Sequence, residues 1–193
     1  MPPLPGKLVL VVGPSGAGKD SLLRHAAESL AGQGHVVFPR RVITRPNDDA
    51  SEAHDSMAPE DFRRAEARGH FALSWEAHGL HYGIPVTILN DLAAGRTVAV
   101  NVSRAIIAAA GVRFPNLAVL HVTAPVSVIA ARLARRGREN PEDIARRIAR
   151  EPPHFEARFD TVTIVNDTTL ERAGLAFTTA LLRFAEVSHA APV

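Results

Sequence analysis

The run Gly13-Pro14-Ser15-Gly16-Ala17-Gly18-Lys19-Asp20-Ser21 carries the clearest chemistry in the chain. A short apolar stretch, Leu8 to Val12, precedes it, and Leu22-Leu23 with an alanine-rich continuation to about Leu30 follows. Strand, glycine-rich turn and helix in that order make a phosphate-binding P-loop. The glycines let the backbone bend so that successive N–H groups point at phosphate oxygens. The following helix adds the positive end of its dipole, and Lys19 a mobile charge for the outer phosphates. A plain glycine turn beside a solvated lysine is the alternative; the spacing of Gly13, Gly18 and Lys19 argues against it. The expected ligand is a nucleoside triphosphate.

One position departs from the usual pattern. The residue after the lysine is normally Ser or Thr, whose hydroxyl meets Mg²⁺; here it is Asp20, with Ser21 next. A carboxylate is a hard oxygen ligand and can serve the same metal, which makes Asp20 a candidate Mg²⁺ ligand. The competing reading is a helix-initiating acid that favours the first turn by its charge.

Length and composition bound the rest. A chain of 193 residues is most economically one domain with a full core. An apolar content of 46% and a mean hydropathy of +0.02 suit a soluble globular protein. Cysteine is absent, which removes disulfides, thiol nucleophiles and cysteine-based zinc sites. No apolar run reaches membrane-spanning length and the first residues do not read as a signal peptide, so a cytoplasmic protein is expected. Lys7 and Lys19 are the only lysines among 22 basic residues, and the arginines lift the pI to about 9.6 despite a net charge of only +2. Arginine suits bidentate phosphate recognition. The arginines are scattered and aromatics make up only 5%, so small phosphorylated ligands fit better than nucleic acid.

The elements that must position the loop follow in order. Residues 1–6 read as a loose leader, and 35–44 as a β-rich segment broken at Arg45-Pro46. Polar residues 47–56 read as a loop, and 58–68 as a helix with Pro59 near its start. Phe71 to Trp75 is strand-like, 79–83 has turn character, and 85–94 reads as a helix closed by Gly95. Then come a buried strand at 97–102, a helix at 103–110, a strand at 117–122 and helices at 125–136 and 141–150. A short strand at 161–165, a turn at Asn166-Asp167, a helix at 170–187 and a disordered tail from Ser188 complete the reading. Strands alternating with helices predict an α/β fold, a parallel sheet covered by helices on both faces.

With that order in place, five segments resemble guanylate kinase: the P-loop, Thr44-Arg45-Pro46, residues 79–83, residues 132–137 and Val165-Asn166-Asp167. The resemblance spans about residues 7–185. It implies a single domain with a core at 7–40, 96–134 and 154–187, an acceptor-binding subdomain at about 41–95 and a lid at about 135–153. It also implies that Asn166 and Asp167 lie near the adenine and that Arg132, Arg136 and Arg147 are lid arginines acting on the transferring phosphoryl group. Arg132 and Arg136 are four residues apart, hence on one helix face.

The departures carry more information. Guanylate kinases read guanine with a serine and two carboxylates; the corresponding positions hold Arg41, about Leu73 and about Ser103. Losing those carboxylates removes the acceptors for guanine N–H groups. Arg45 and Tyr82 match phosphate-binding positions, and His54 falls where a further tyrosine sits. Arg41, Arg45, His54, Tyr82 and Ser103 are therefore the acceptor-site candidates. The chain more closely resembles the ribose 1,5-bisphosphate phosphokinases of bacterial phosphonate breakdown, on residues 18–23, 43–45, 73–75, 78–80, 100–101 and 103–104. This implies Mg²⁺-dependent transfer from ATP to ribose 1,5-bisphosphate, giving 5-phosphoribosyl 1-diphosphate. The alternatives are a guanylate or other nucleoside monophosphate kinase, and a non-catalytic guanylate kinase-like binding module. The module would need neither Lys19 nor the lid arginines. No membrane or nucleic-acid partner is expected, and assembly as a homodimer stays open. The nine histidines lack metal-like spacing, so zinc is not expected.

Overall fold

Strand β1 (Leu8–Val12) is buried along its whole length. A strand with no polar residue and no exposed face belongs in the middle of a parallel sheet. In the computed structural model, which describes residues 4–45, 54–136 and 159–189, that is where it lies. After β1 come α1 (Lys19–Ser29), β2 (Val36–Val37), β3 (Arg41–Ile43), β4 (His54–Ser56), α2 (Pro59–Ala67), β5 (Phe71–Ala77), β6 (Leu80–Pro85) and α3 (Ile88–Ala93). β7 (Thr97–Asn101), a 3₁₀ turn (Arg104–Ile106), α4 (Ile107–Arg113), β8 (Leu117–Thr123), α5 (Val126–Arg136), β9 (Asp160–Val165) and α6 (Leu170–His189) follow.

The first sheet has the order β2-β7-β1-β8-β9, with every neighbouring pair parallel. Alternate residues of β1 serve its two faces, as the strand period requires. Val9 and Val11 pack with Leu22 and Ala26 of α1 and with Phe177, Leu181 and Phe184 of α6. Leu8, Leu10 and Val12 pack with Ile88 and Leu92 of α3 and Ile106, Ile107 and Ala110 beyond β7. Full burial of each large apolar side chain stabilises by about 1.5–3 kcal/mol, so both helical layers are held firmly to the sheet. β7 and β8 flank β1, so connections leave the centre in opposite directions and open a crevice at the carboxyl ends of these strands.

A second sheet, ordered β4-β3-β6-β5, is mixed: β3 and β4 are parallel, and β6 is antiparallel to both β3 and β5. Helix α2 covers one face through Phe62, which packs with Val42 and Phe71 and stacks on the Phe71 ring at 4.5 Å. Leu73 and Ile84, on the other face, join the core of the first sheet.

Several sequence expectations need correction. The turn in 79–83 is confined to its start, where His78 (φ 54°) and Gly79 (φ 72°) reverse the chain; Leu80–Pro85 is strand. The helix expected at 85–94 begins only at Ile88, because β6 runs through Pro85. The β-rich segment 35–44 splits into β2 and β3, which join different sheets. Residues 103–110 open with the 3₁₀ turn before α4, and His54–Ser56, expected as loop, forms β4. The leader is anchored near its end, since Gly6 N–H donates to the Leu92 carbonyl at 2.8 Å and Asn116 Nδ2 donates to the Gly6 carbonyl at 3.1 Å. Ser188 and His189 continue α6. The helix expected at 141–150 lies outside the described residues.

Candidate active site

The P-loop leaves β1 at Gly13 and enters α1 at Gly18. Gly13 has φ 144°, and a Cβ there would lie 1.9 Å from the Val122 carbonyl oxygen of β8. Gly18 has φ 91°, and a Cβ there would lie 2.3 Å from Asn166 Nδ2. Both glycines are demanded by backbone conformation and by close approach together. Lys19 Nζ donates to the carbonyls of Gly13 at 2.9 Å and Pro14 at 3.0 Å, which holds the ammonium over the loop.

Two side chains brace the loop from the far part of the chain. Asn166 is buried and its Nδ2 donates to the Ala17 carbonyl at 2.7 Å. Arg132 Nη1 reaches the same oxygen at 3.5 Å. The Asn166 amide turns inward to the P-loop backbone, while Asp167 is exposed. Arg132 lies within reach of the P-loop, whereas the side chain of Arg136 and the whole of Arg147 lie outside the described residues.

Asp20, in the first turn of α1, meets the carboxyl end of β7. Its Oδ1 accepts from Asn101 Nδ2 at 2.7 Å and from Arg41 Nη2 at 3.3 Å. Arg41 Nη1 also reaches the Asn101 carbonyl at 3.5 Å. The Arg41 and Asp20 side chains are 12% and 29% exposed, so this ion pair is screened less than a surface pair. Helix α1, strand β7 and the second sheet thus meet at one carboxylate.

Register explains why Arg41 is not alone. Arg41 is aligned with His54, Ile43 with Tyr82, and Tyr82 with Trp75. Aligned residues share a sheet face, so Arg41, His54, Tyr82 and Trp75 are all on the face opposite α2. Tyr82 stacks on Trp75, with centroids 5.2 Å apart and planes at 6°. Thr44 Oγ1 accepts from the His81 N–H at 2.9 Å, fixing the backbone just before Arg45. His54 is fully buried, a packed residue rather than an open phosphate ligand. Ser103 Oγ accepts from the Ala105 N–H at 3.3 Å, capping the 3₁₀ turn. Leu73 packs in the core and offers no polar group.

His121, which faces Val12 across the β1–β8 pair, received no role from the sequence. Burial first, then the positive charges of Arg104 and Lys19, hold its imidazole below the ordinary histidine value of 6.5. Neutral at physiological pH, it adds no cation to a crevice already rich in arginine. Asn101 was likewise without a role, although a polar residue closing an apolar strand at the carboxyl edge of a parallel sheet is itself a signal.

A divalent cation fits this donor set. Among the described residues no group of three or more His, Asp or Glu side chains could enclose a metal. Mg²⁺ seldom asks for such a cage: one or two carboxylates, substrate phosphates and water suffice. Asp20, partly exposed and oriented by two donors, is placed to be that carboxylate.

Comparisons with known proteins bear directly on this site. The ribose 1,5-bisphosphate phosphokinase PhnN of Acidiphilium cryptum is 54% identical over 181 residues, covering 94% of this chain and 95% of that protein. This chain belongs to the ribose 1,5-bisphosphate phosphokinase family. The phosphokinase of Bradyrhizobium diazoefficiens is 49% identical, with 84% of this chain and 81% of that one covered. A bifunctional ribose 1,5-bisphosphokinase-thymidine phosphorylase of Azorhizobium caulinodans is 47% identical over 88% of this chain but only 24% of its own length. Models of protein families gave no match. Among solved structures, guanylate kinase from Anaplasma phagocytophilum superposes with a TM-score of 0.64 at 18% identity, covering 92% of this chain and 85% of that one. The fold is that of the guanylate kinases.

Proposed function

We propose that this chain transfers the terminal phosphoryl group of ATP to the 1-phosphate of ribose 1,5-bisphosphate, giving ADP and 5-phosphoribosyl 1-diphosphate. An oxygen of the 1-phosphate attacks the γ-phosphorus, the bond to the ADP bridging oxygen breaks, and its electron pair leaves on ADP. The attacking group is already an oxyanion, so no base has to remove a proton. The protein's task is to bring two anions together and offset their charge.

The P-loop amides and Lys19 would hold the ATP phosphates. Asp20 would hold Mg²⁺, which supplies charge neutralisation across the phosphates when bound. Arg41, Arg45 and Tyr82 would hold the acceptor, and Arg132 with Arg136 and Arg147 would close on the phosphoryl group. The observation that carries the reading is Arg41 itself: a guanidinium 3.3 Å from the P-loop helix carboxylate, on a sheet face on which the strands, among the described residues, carry no carboxylate for a guanine. Such a group suits phosphate better than a base.

Phosphorus NMR of the protein with Mg·ATP and ribose 1,5-bisphosphate tests the reaction. New diphosphate resonances of a 1-substituted pentose alongside ADP are expected. ADP appearing with inorganic phosphate alone would overturn it.

A further inference from the structure

The triangle of Asp20, Asn101 and Arg41 joins what would be the donor site to what would be the acceptor site. In P-loop proteins the metal is commonly shared between a hydroxyl on the helix and a carboxylate on a neighbouring strand. Here the types are exchanged. The carboxylate, Asp20, is on α1, and the neighbouring strand β7 supplies an amide, Asn101. That exchange gives Asp20 a second partner. A carboxylate on the helix reaches Arg41 at 3.3 Å, and Asn101, buried to 7% exposure, holds both members, Asp20 by its side-chain amide and Arg41 by its carbonyl.

We propose that Asp20 is a latch that withholds Arg41 from the acceptor until Mg·ATP is bound, with Asn101 as the positioning residue that keeps the latch aligned. This rests on the acceptor assignment made above. Before the nucleotide arrives, an incoming acceptor phosphate must compete with the Asp20 carboxylate for the Arg41 guanidinium, and it meets that carboxylate's negative charge. Neutralising Asp20 with the cation that accompanies ATP removes both penalties at once. The two ligands therefore bind with positive coupling, and the coupling is reciprocal. The order has a chemical use. An acceptor bound tightly without donor would block nothing but its own turnover, whereas ATP bound first presents Arg41 only to an acceptor that can react.

Calorimetric titration with ribose 1,5-bisphosphate, with and without Mg²⁺ and a non-hydrolysable β,γ-imido ATP, reads the coupling without any turnover. The wild-type protein is expected to bind the sugar bisphosphate at least about 5-fold more tightly when the analogue is present. Asp20→Asn, which keeps the side-chain volume and removes the charge, is expected to bind the acceptor without nucleotide more tightly than wild type does, with the coupling reduced toward unity. Asn101→Ala is expected to lose most of the coupling. The exchange Asp20→Asn with Asn101→Asp, which rebuilds an amide–carboxylate pair across the same gap, is expected to recover part of it, a rescue that a merely structural role for Asn101 would not give. Equal acceptor affinity with and without the analogue in wild type overturns the latch and leaves the substrate assignment standing. No binding of the sugar bisphosphate under either condition overturns the substrate assignment and the latch with it.

Discussion

Asn166 donates to the Ala17 carbonyl at 2.7 Å, joining the end of the last strand to the P-loop across almost the whole length of the chain. The bond is buried, and Asn166 occupies the space a side chain at Gly18 would need. The shape of the loop is therefore set as much by β9 as by its own glycines.

Asn166→Ala should lower stability by about 1–3 kcal/mol, the cost of leaving a buried carbonyl poorly partnered. Its affinity for ATP should fall as well. Asp167→Ala, at an exposed position one residue on, serves as the control and should unfold like wild type. Thermal unfolding of the two variants side by side checks this; equal melting temperatures would count against the brace.

Gly18→Ala tests the same contact from the other side. The left-handed backbone alone costs an alanine about 1–2 kcal/mol, and the new Cβ would collide with Asn166 Nδ2. The variant should lose at least about tenfold in ATP affinity, since a 1.4 kcal/mol distortion of the loop already amounts to that. Retained nucleotide affinity in equilibrium dialysis would contradict the account.

Lys19→Ala separates chemistry from folding. The ammonium donates to the carbonyls of Gly13 and Pro14, contacts within the loop itself, so secondary structure should be kept. A fall in kcat of about 10²–10³-fold is expected, the usual effect of losing one group that meets developing charge. Circular dichroism and steady-state rates measure the two halves of this statement.

His121 makes stability depend on pH. Its folded-state imidazole titrates below the ordinary 6.5, so below that value the unfolded chain takes up a proton that the native protein resists. Stability should be unaffected by His121 above pH 6.5 and should decline as the pH falls from there toward the folded-state value. His121→Gln should flatten that decline. Melting temperatures between pH 8 and 5 decide it, and parallel curves for the two proteins would refute the assignment.

The P-loop was legible because its signal is local: strand, glycines, lysine and helix lie within two dozen residues of one another. The central strands were legible for a related reason, each carrying an unbroken apolar run of three or more residues. The second sheet was legible only in part: Phe71 to Trp75 read as strand and 35–44 as β-rich, but β4 and β6 did not. Its strand β3 has three residues, and β6 contains Gly83 and ends in Pro85, so local composition there favours turn and helix. Pairing with β3 and β5 makes it a strand, and pairing partners are not visible in a single segment. The same holds for Asp20. The sequence showed a carboxylate in an unusual place; only the fold shows Asn101 and Arg41 converging on it from 81 and 21 residues away. Asn166 was read as a turn residue, and its brace to the P-loop was invisible because that hydrogen bond crosses 149 residues.

Arg41→Ala should raise the KM for the acceptor by at least tenfold and change the KM for ATP much less. Loss of one charge-assisted phosphate contact is worth about 1.5–3 kcal/mol. Equal effects on both substrates would place Arg41 with the nucleotide instead.

The central claim is that the acceptor is a sugar bisphosphate and not a guanine nucleotide. A coupled ADP-release assay with Mg·ATP, run in parallel with ribose 1,5-bisphosphate and with GMP, tests it most directly. The arrangement of Arg41, Leu73 and Ser103 predicts turnover with the sugar bisphosphate and none with GMP. Turnover with GMP alone would contradict it.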